Sequence, residues 1–527
     1  MTCSPAKAAL LAAVFLVLGA CTVVGPDYEA PQPVPLPQAW ETQAAAAQTA
    51  EIGAWWRQFG DDTLNALVER GARQNLSLEA AGLRIVQARA ALGISDALRF
   101  PQLQQINSGA AALYRDRDWF QSANASLDMA WEMDIWGKYA RGIEASQASL
   151  YASIASYRDV LVSLTAEIAR NYINYRTAQE RIDLARQNIA IQERVLAMTE
   201  VQFDAGNVSE LDVQQAKTQL YATRSNLPGL FIVQQQALNA LAVLLGTIPE
   251  ALAPLLAPAE EREPADFRNA AGVTQRPELT LDAYQAESVI PSAPAPTAQL
   301  SAALLLRRPD IQVAEMRARA QSARIGIASA ELYPQFFLGG SIGVSQTLPS
   351  GNRFDLGDAV TANIGPGLRW NIFQYDRIRN QVRIEDALFQ ASLTDYNQAL
   401  LEAVREVTNA LQGYRFNLAR SEHDLDAVKA SVRAFNISAT QYNNGLVTYE
   451  RLLSTVEKMT LREDLYAQTR GGIANQLVAL YKALGGGWDA VDPGPVVKPE
   501  TERQMRERTD WGDSLDEDTN AAGASRD

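Results

Sequence analysis

The chain has 527 residues, 47% hydrophobic and 20% charged, which supplies apolar material for a large core and excludes a disordered or collagen-like polymer. A formal net charge of -14 with no basic cluster leaves nothing to neutralise a run of phosphates, which excludes nucleic acid as a partner. One histidine, His423, and two cysteines, Cys3 and Cys21, cannot build a His or Cys metal cage or a disulfide framework. With no paired-carboxylate or Ser-His constellation to add, an enzyme is the least favoured class.

Residues 1–20 carry Lys7, an apolar run from Ala8 to Leu18 and then small residues. An apolar core of about eleven residues is too short to cross a hydrocarbon layer of roughly 30 Å, so the segment is a secretory signal peptide. Leu18-Gly19-Ala20-Cys21 resembles a bacterial lipobox, and this predicts cleavage before Cys21 with diacylglyceryl and N-acyl lipid on it. The plain alternative is a simple signal peptide followed by a chance cysteine. No other cofactor is expected. Residues 21–55 form a tether kept extended by Pro26, Pro31, Pro33, Pro35 and Pro37. No later run of eighteen apolar residues exists, so the rest is soluble or crosses a membrane as strands.

The chain is written twice, at a spacing of about 233 to 239 residues. Arg99-Phe-Pro-Gln-Leu103 answers Leu332-Tyr-Pro-Gln-Phe336, Asp134-Ile-Trp136 answers Asn371-Ile-Phe373, Phe203-Asp-Ala-Gly206 answers Tyr442-Asn-Asn-Gly445, and Leu244-Leu-Gly246 answers Ala483-Leu-Gly485. The first repeat spans 56–246 and the second 300–488, with a Pro-rich connector at 247–299 and an acidic, disordered tail at 489–527. Each repeat holds a helix, a strand hairpin and very long helices. Ile143 to Ala205 lacks Gly and Pro throughout, enough for a helix of about 95 Å, and Leu150, Ile154, Tyr157, Leu161, Leu164 and Ile168 step at coiled-coil spacing. Return helices are expected over 207–245 and 447–484, and a second long helix over 377–443. Gly206 and Gly445 mark the turns.

Hairpins are expected at about 102–136 and 335–373. In Ser126 to Trp136, Leu127, Met129, Trp131, Met133 and Ile135 alternate with Asp128, Glu132 and Asp134. Thr361 to Ile372 alternates likewise, with Arg369 on its polar side. Loops at 115–121 and 347–357 would be the outer turns. A soluble sheet packed on helices gives the same pattern as apolar-out membrane strands. If the strands span lipid, about four per chain cannot close a barrel, and unpaired edges are forbidden there, so chains must share one. Three chains give a lumen wide enough for Asp128, Glu132, Asp134 and Arg369 to point inward.

Cys21-Thr-Val-Val-Gly-Pro-Asp-Tyr28, Trp56-Arg-Gln-Phe59, Asn75-Leu-Ser-Leu78, Trp131-Glu-Met-Asp-Ile-Trp-Gly137, Arg307-Arg-Pro-Asp-Ile311 and Tyr481-Lys-Ala-Leu-Gly-Gly-Gly-Trp488 together resemble the TolC-like outer-membrane factors, in the lipid-anchored OprM/NodT branch of efflux channels. The resemblance implies a mainly α homotrimer that shares a twelve-stranded outer-membrane β-barrel and a long periplasmic α-helical barrel in a Gram-negative bacterium. It also implies a periplasmic adaptor and an inner-membrane RND-type pump as partners, with small molecules as cargo. A secretion duct for polypeptides and a non-channel coiled-coil lipoprotein remain the rival functions. By the same resemblance, Leu446, Glu450, Ser454 and Glu457 stand at the periplasmic gate, where the OprM pattern carries Leu, Asp and Arg at the last three. Two acidic rings would then favour cations; the plain alternative is that both glutamates face water on the outside of the helix. Phe203, Gly206, Val208, Tyr442, Gly445 and Val447 are expected at adaptor-facing tips.

Overall fold

The computed structural model describes residues 23–31, 52–256, 288–295, 302–349, 359–512 and 515. The signal segment, Cys21 with its expected lipid, most of the tether and much of the connector lie outside the described residues.

A 3-10 turn at Trp55–Phe59 leads into helix α1 (Asp62–Gln74) and helix α2 (Leu76–Ala97). Asp61 caps α1 by accepting from Leu64 N at 2.9 Å, and Asn75 caps α2 by accepting from Leu78 N at 2.8 Å. Strands β1 (Leu103–Arg115) and β2 (Asp118–Glu132) follow, then α3 (Lys138–Asp204), α4 (Glu210–Leu244) and the short α5 (Pro249–Leu256). The second half repeats the plan with α6 (Pro309–Ala330), β3 (Gln335–Pro349), β4 (Val360–Arg369), α7 (Arg377–Asn443) and α8 (Tyr449–Ala483). The repeat is written into length: α2 and α6 have 22 residues, α3 and α7 have 67, and α4 and α8 have 35.

At 1.5 Å per residue, α3 and α7 are each about 100 Å long. They run from the ends of the strands to the distal turns at Gly206 and Gly445. In the strand-proximal half the helices lie side by side in the order α2, α3, α6, α7, and in the distal half α4 and α8 take over from α2 and α6. α3 starts earlier than its Gly-free stretch because a helical Gly costs only about 1 kcal/mol, and Gly142 is absorbed. α4 is long and apolar enough to cross a membrane, yet it carries Pro228 and the Gln234-Gln235-Gln236 run and packs along α3.

The largest core cluster lies where the repeats meet, around Trp55, Trp56, Leu67, Tyr172, Leu241 and Tyr481. Trp55 stacks on Tyr481 with ring centroids 5.6 Å apart. A second cluster fills the distal half with Ile191, Val195, Val432, Phe435, Leu452 and Val456. Arg308, before Pro309, ties the second repeat together by donating to the Ala483 carbonyl of α8 at 2.5 Å and to Glu406 of α7 at 2.9 Å. Burial opposes its charge, but hydrogen bonds to Asp310 and Glu406 raise its pKa.

Three expectations need correction. The outer turn placed at 115–121 is a two-residue turn, Asp116-Arg117, with φ of 54° and 74°, because the Ala, Ser and Asn positions before Ser126 also pair as strand. The loop placed at 347–357 starts later, since β3 continues to Pro349, and 350–358 lies outside the described residues. The tail is not disordered from 489. A further helix, α9 (Pro499–Arg508), buries Met505 in a cluster with Val497, Leu515 and Val86 of α2, and Lys498 Nζ pairs with Glu79 at 2.7 Å. Its apolar contacts are too few for a periodic pattern.

Candidate functional site

The four strands form one antiparallel sheet in the order β1-β2-β3-β4, with β1 and β4 as open edges. Register fixes the faces. Asp128 lies opposite Gln105 and Ser341, and Ser341 opposite Asn363, so these side chains share one polar face. Leu127, Ile342 and Ala362 align on the other, where Ile106 is 80% and Ile364 77% exposed. In water such a face is costly, and in hydrocarbon it is at home. On the polar face Asn107 Nδ2 donates to Asp128 at 2.5 Å, Asn363 Nδ2 to Ser341 Oγ at 2.8 Å, and Arg369 Nε to Gln335 at 3.1 Å. The alternation of Thr361 to Ile372 already puts Asn363 on the polar side, whereas Asn107 and Ser341 lie in the weaker partner strands and do not stand out from sequence, although the Gln105-x-Asn107 step carries the signal.

Two of the four expected lumen residues serve the joint between sheet and helix. Asp134 lies past the end of β2 and accepts from Tyr139 N at 3.1 Å and Ala140 N at 2.8 Å, so its carboxylate caps α3. Glu132 is on the polar face but is held by the Tyr139 hydroxyl at 3.0 Å and Lys138 at 3.8 Å. Lys138 in turn bridges to Glu331 of the second repeat at 2.5 Å. The Asp128 and Arg369 side chains remain on the polar face of the sheet.

At the far end the two turns have the same build. Gly206 and Gly445 adopt φ of 76° and 68°, and the next residues close six-residue loops, Asn207 N to Gln202 O and Leu446 N to Gln441 O, both at 2.9 Å. Phe203, Gly206, Gly445 and Leu446 face outward, Leu446 at 73% exposure. Tyr442 does not. It is 3% exposed, packs edge-on against Tyr449 with centroids 6.0 Å apart and reaches Thr199 Oγ1 at 3.4 Å, so it belongs to the core beneath the tip. Val208 and Val447 are half-buried against the same cluster. Burial pushes the Tyr449 hydroxyl well above its usual range, with Tyr442, Asp212 and Glu457 adding to it.

Leu452, Val456 and Met459 bury one side of α8. Helical spacing puts Glu450, Ser454 and Glu457 on the opposite side, where both glutamates are exposed and, among the described residues, have no cation partner. Leu446 precedes this stripe at the turn. No group of His, Cys, Asp or Glu among the described residues could hold a metal ion.

A family model described as outer membrane efflux protein matches residues 67–247 and 300–486, one block in each repeat. Outer membrane protein OprJ of Pseudomonas aeruginosa is 31% identical over 487 residues, covering 90% of this chain and 94% of that protein. Nodulation protein T of Rhizobium leguminosarum is 27% identical over 483 residues, covering 91% of this chain and 94% of that protein. The solved outer-membrane channel OprN superposes with a TM-score of 0.75 at 30% identity, covering 88% of this chain and 99% of that one. With both repeats matched, an open-edged sheet and two helices of 67 residues, the chain belongs to the TolC-like outer membrane efflux proteins, close to the OprM/NodT type, and is an outer-membrane channel component of an efflux system.

Proposed function

We propose that three copies of the chain assemble into one passive conduit, a twelve-stranded barrel in the outer membrane continuous with a helical barrel in the periplasm, that carries small molecules delivered by a periplasmic adaptor and an inner-membrane RND-type pump. The observation that carries this reading is the sheet: four strands with two unpaired edges and an exposed apolar face, which is tolerable in lipid only when neighbouring copies pair the edges. The protein supplies no chemistry. Its helices hold a wall open over about 100 Å, and its turns present Phe203, Gly206, Gly445 and Leu446 to the adaptor. Cys21 carries the lipid in this reading, supported by the Leu18-Gly19-Ala20-Cys21 junction and by residues 23–28, which lie along α3 and α6 near their strand ends.

Threefold repetition of Glu450 and Glu457 makes two acidic rings at the periplasmic end, whose mutual repulsion is relieved by protons or divalent cations. Native mass spectrometry of the detergent-solubilised protein tests the assembly. Three lipidated chains are expected, and a folded monomer would remove the closed barrel and the pore with it. In planar bilayers, Glu450→Gln with Glu457→Gln is expected to lower cation preference severalfold and to abolish closure by millimolar divalent ions. Wild-type conductance indifferent to those ions would remove the acidic gate.

A further inference from the structure

Below the sheet a groove of about 530 Å³ opens across all four strand-proximal helices. Its floor is Ser149, Ser153 and Ser156 of α3, and its walls carry Arg84 of α2 and Arg317 and Arg324 of α6. Counted from the helix ends that join the strands, these residues sit about 10 to 30 Å below the sheet. Arg324 Nη1 donates to Gln321 at 3.2 Å, whereas Arg84 and Arg317 have no acidic partner among the described residues. Glu385, across the rim, is already held by Gln321 at 2.7 Å. Ser149 and Ser153 donate to carbonyls one turn back, which leaves the guanidiniums and Ser156 as the donors facing the groove.

Two contacts tell which surface of the wall this is. The tether packs on α6 where a Cβ on Gly326 would stand 2.9 Å from the Val24 carbonyl oxygen and where Tyr28 lies beside Glu315 and Arg319. At 100° per residue Arg317 and Arg324 point about 170° away from those positions. The α9 segment covers α2 at Glu79 and Val86, and Arg84 points about 150° away from them. The groove therefore lies on the surface opposite both chain ends. In a closed trimer that surface is the lumen.

We propose that this groove is an anion-binding station in the duct, taking a phosphate, sulfonate or polycarboxylate group of a solute in transit. Guanidiniums from two helices grip such a group bidentately, and three copies set a basic belt of nine between the acidic gate below and Asp128 above. The site stands on α2, α3 and α6, and its lumenal role rests on the trimeric duct.

The test uses the full-length, detergent-solubilised protein and a fluorescent pyrene trisulfonate, followed by anisotropy. Saturable binding is expected at one dye per chain, weakened by salt, and about tenfold or more weaker in the Arg84→Gln, Arg317→Gln double variant. Arg84→Lys keeps the charge without the fork and should cost only severalfold, whereas Arg433→Gln, on an exposed face elsewhere, should leave affinity unchanged. Equal affinity in the double variant, or no saturation by the wild type, overturns the site. The native mass of the same samples reports separately on the duct: a monomer that still binds in an Arg84-dependent way overturns the duct and keeps the site, and a trimer indifferent to the variants overturns the site alone.

Discussion

In the first half of the chain Asp134 holds the first amides of α3, whereas in the second half α7 starts after Tyr375 and Asp376, both at positive φ, with no side chain capping it. The same contrast recurs at the tips. Ser209 and Asp212 close a capping box at the start of α4, and Thr448 makes no such bond at the start of α8. Helix lengths match to the residue across the two halves while their joints diverge. A wall built from both halves requires every helix to span the same height, and it places no such demand on how a helix is started. The first half is pinned at both ends of its long helix pair, and the second half is the looser partner.

The largest expected effect concerns what the halves share. Leu127→Arg in the first half and Ile364→Arg in the second both put a charge on the apolar face, and each should lower barrel stability by about 2–4 kcal/mol. Asn363→Arg, one residue away on the polar face, should cost far less. Folding yields into lipid vesicles check the pairs, and equal losses at Ile364 and Asn363 would dissolve the distinction between faces.

Joint substitutions come next. Asp134→Ala removes two charge-assisted bonds and should cost about 1–2 kcal/mol in thermal unfolding. Asp376→Gly should instead stabilise by about 1 kcal/mol, because glycine relieves the left-handed strain and the exposed Arg379 pair it gives up is worth little. A loss at both positions would mean that the two joints are equally specified. At the tips, Ser209→Ala should cost about 1 kcal/mol and Thr448→Ala only a few tenths, read by hydrogen exchange in the first turns of α4 and α8.

What could be read in the sequence follows the same division. The first long helix is legible because Gly and Pro are missing from Ile143 to Ala205, and the second, which holds Gly413, is legible as its repeat and spans 377–443. Strand alternation is legible where Leu, Met and Trp carry it and faint where β2 passes through Ala123, Asn124 and Ala125, and the polar loop expected at 115–121 covers residues that pair as strand from Asp118. Alternation also continued past the end of β2, which put Asp134 on the wrong element. Tyr442 was misplaced because a turn motif fixes the backbone but not which flanking side chain folds under it. The α9 segment was invisible because one buried methionine in ten residues makes no stripe.

The smallest effect sharpens the comparison at the chain end. Hydrogen bonds from Lys498 and then Thr501 hold the Glu79 carboxyl below the usual carboxylate range, against a weaker push from burial. A carboxyl whose folded pKa is lowered contributes its full stability above the ordinary value of about 4.3 and loses it as pH falls through the folded value. Hydrogen-exchange protection of α9 should therefore be level from pH 7 to about 5 and fall below about 4. Glu79→Gln keeps the shape and removes the charge, so its protection should be lower by roughly 0.5 kcal/mol at neutral pH, as befits a partly exposed pair, and flat through the acid range. A wild-type segment that keeps its protection below pH 4 would show that Met505, Val497 and Leu515 hold α9 on α2 without the ion pair.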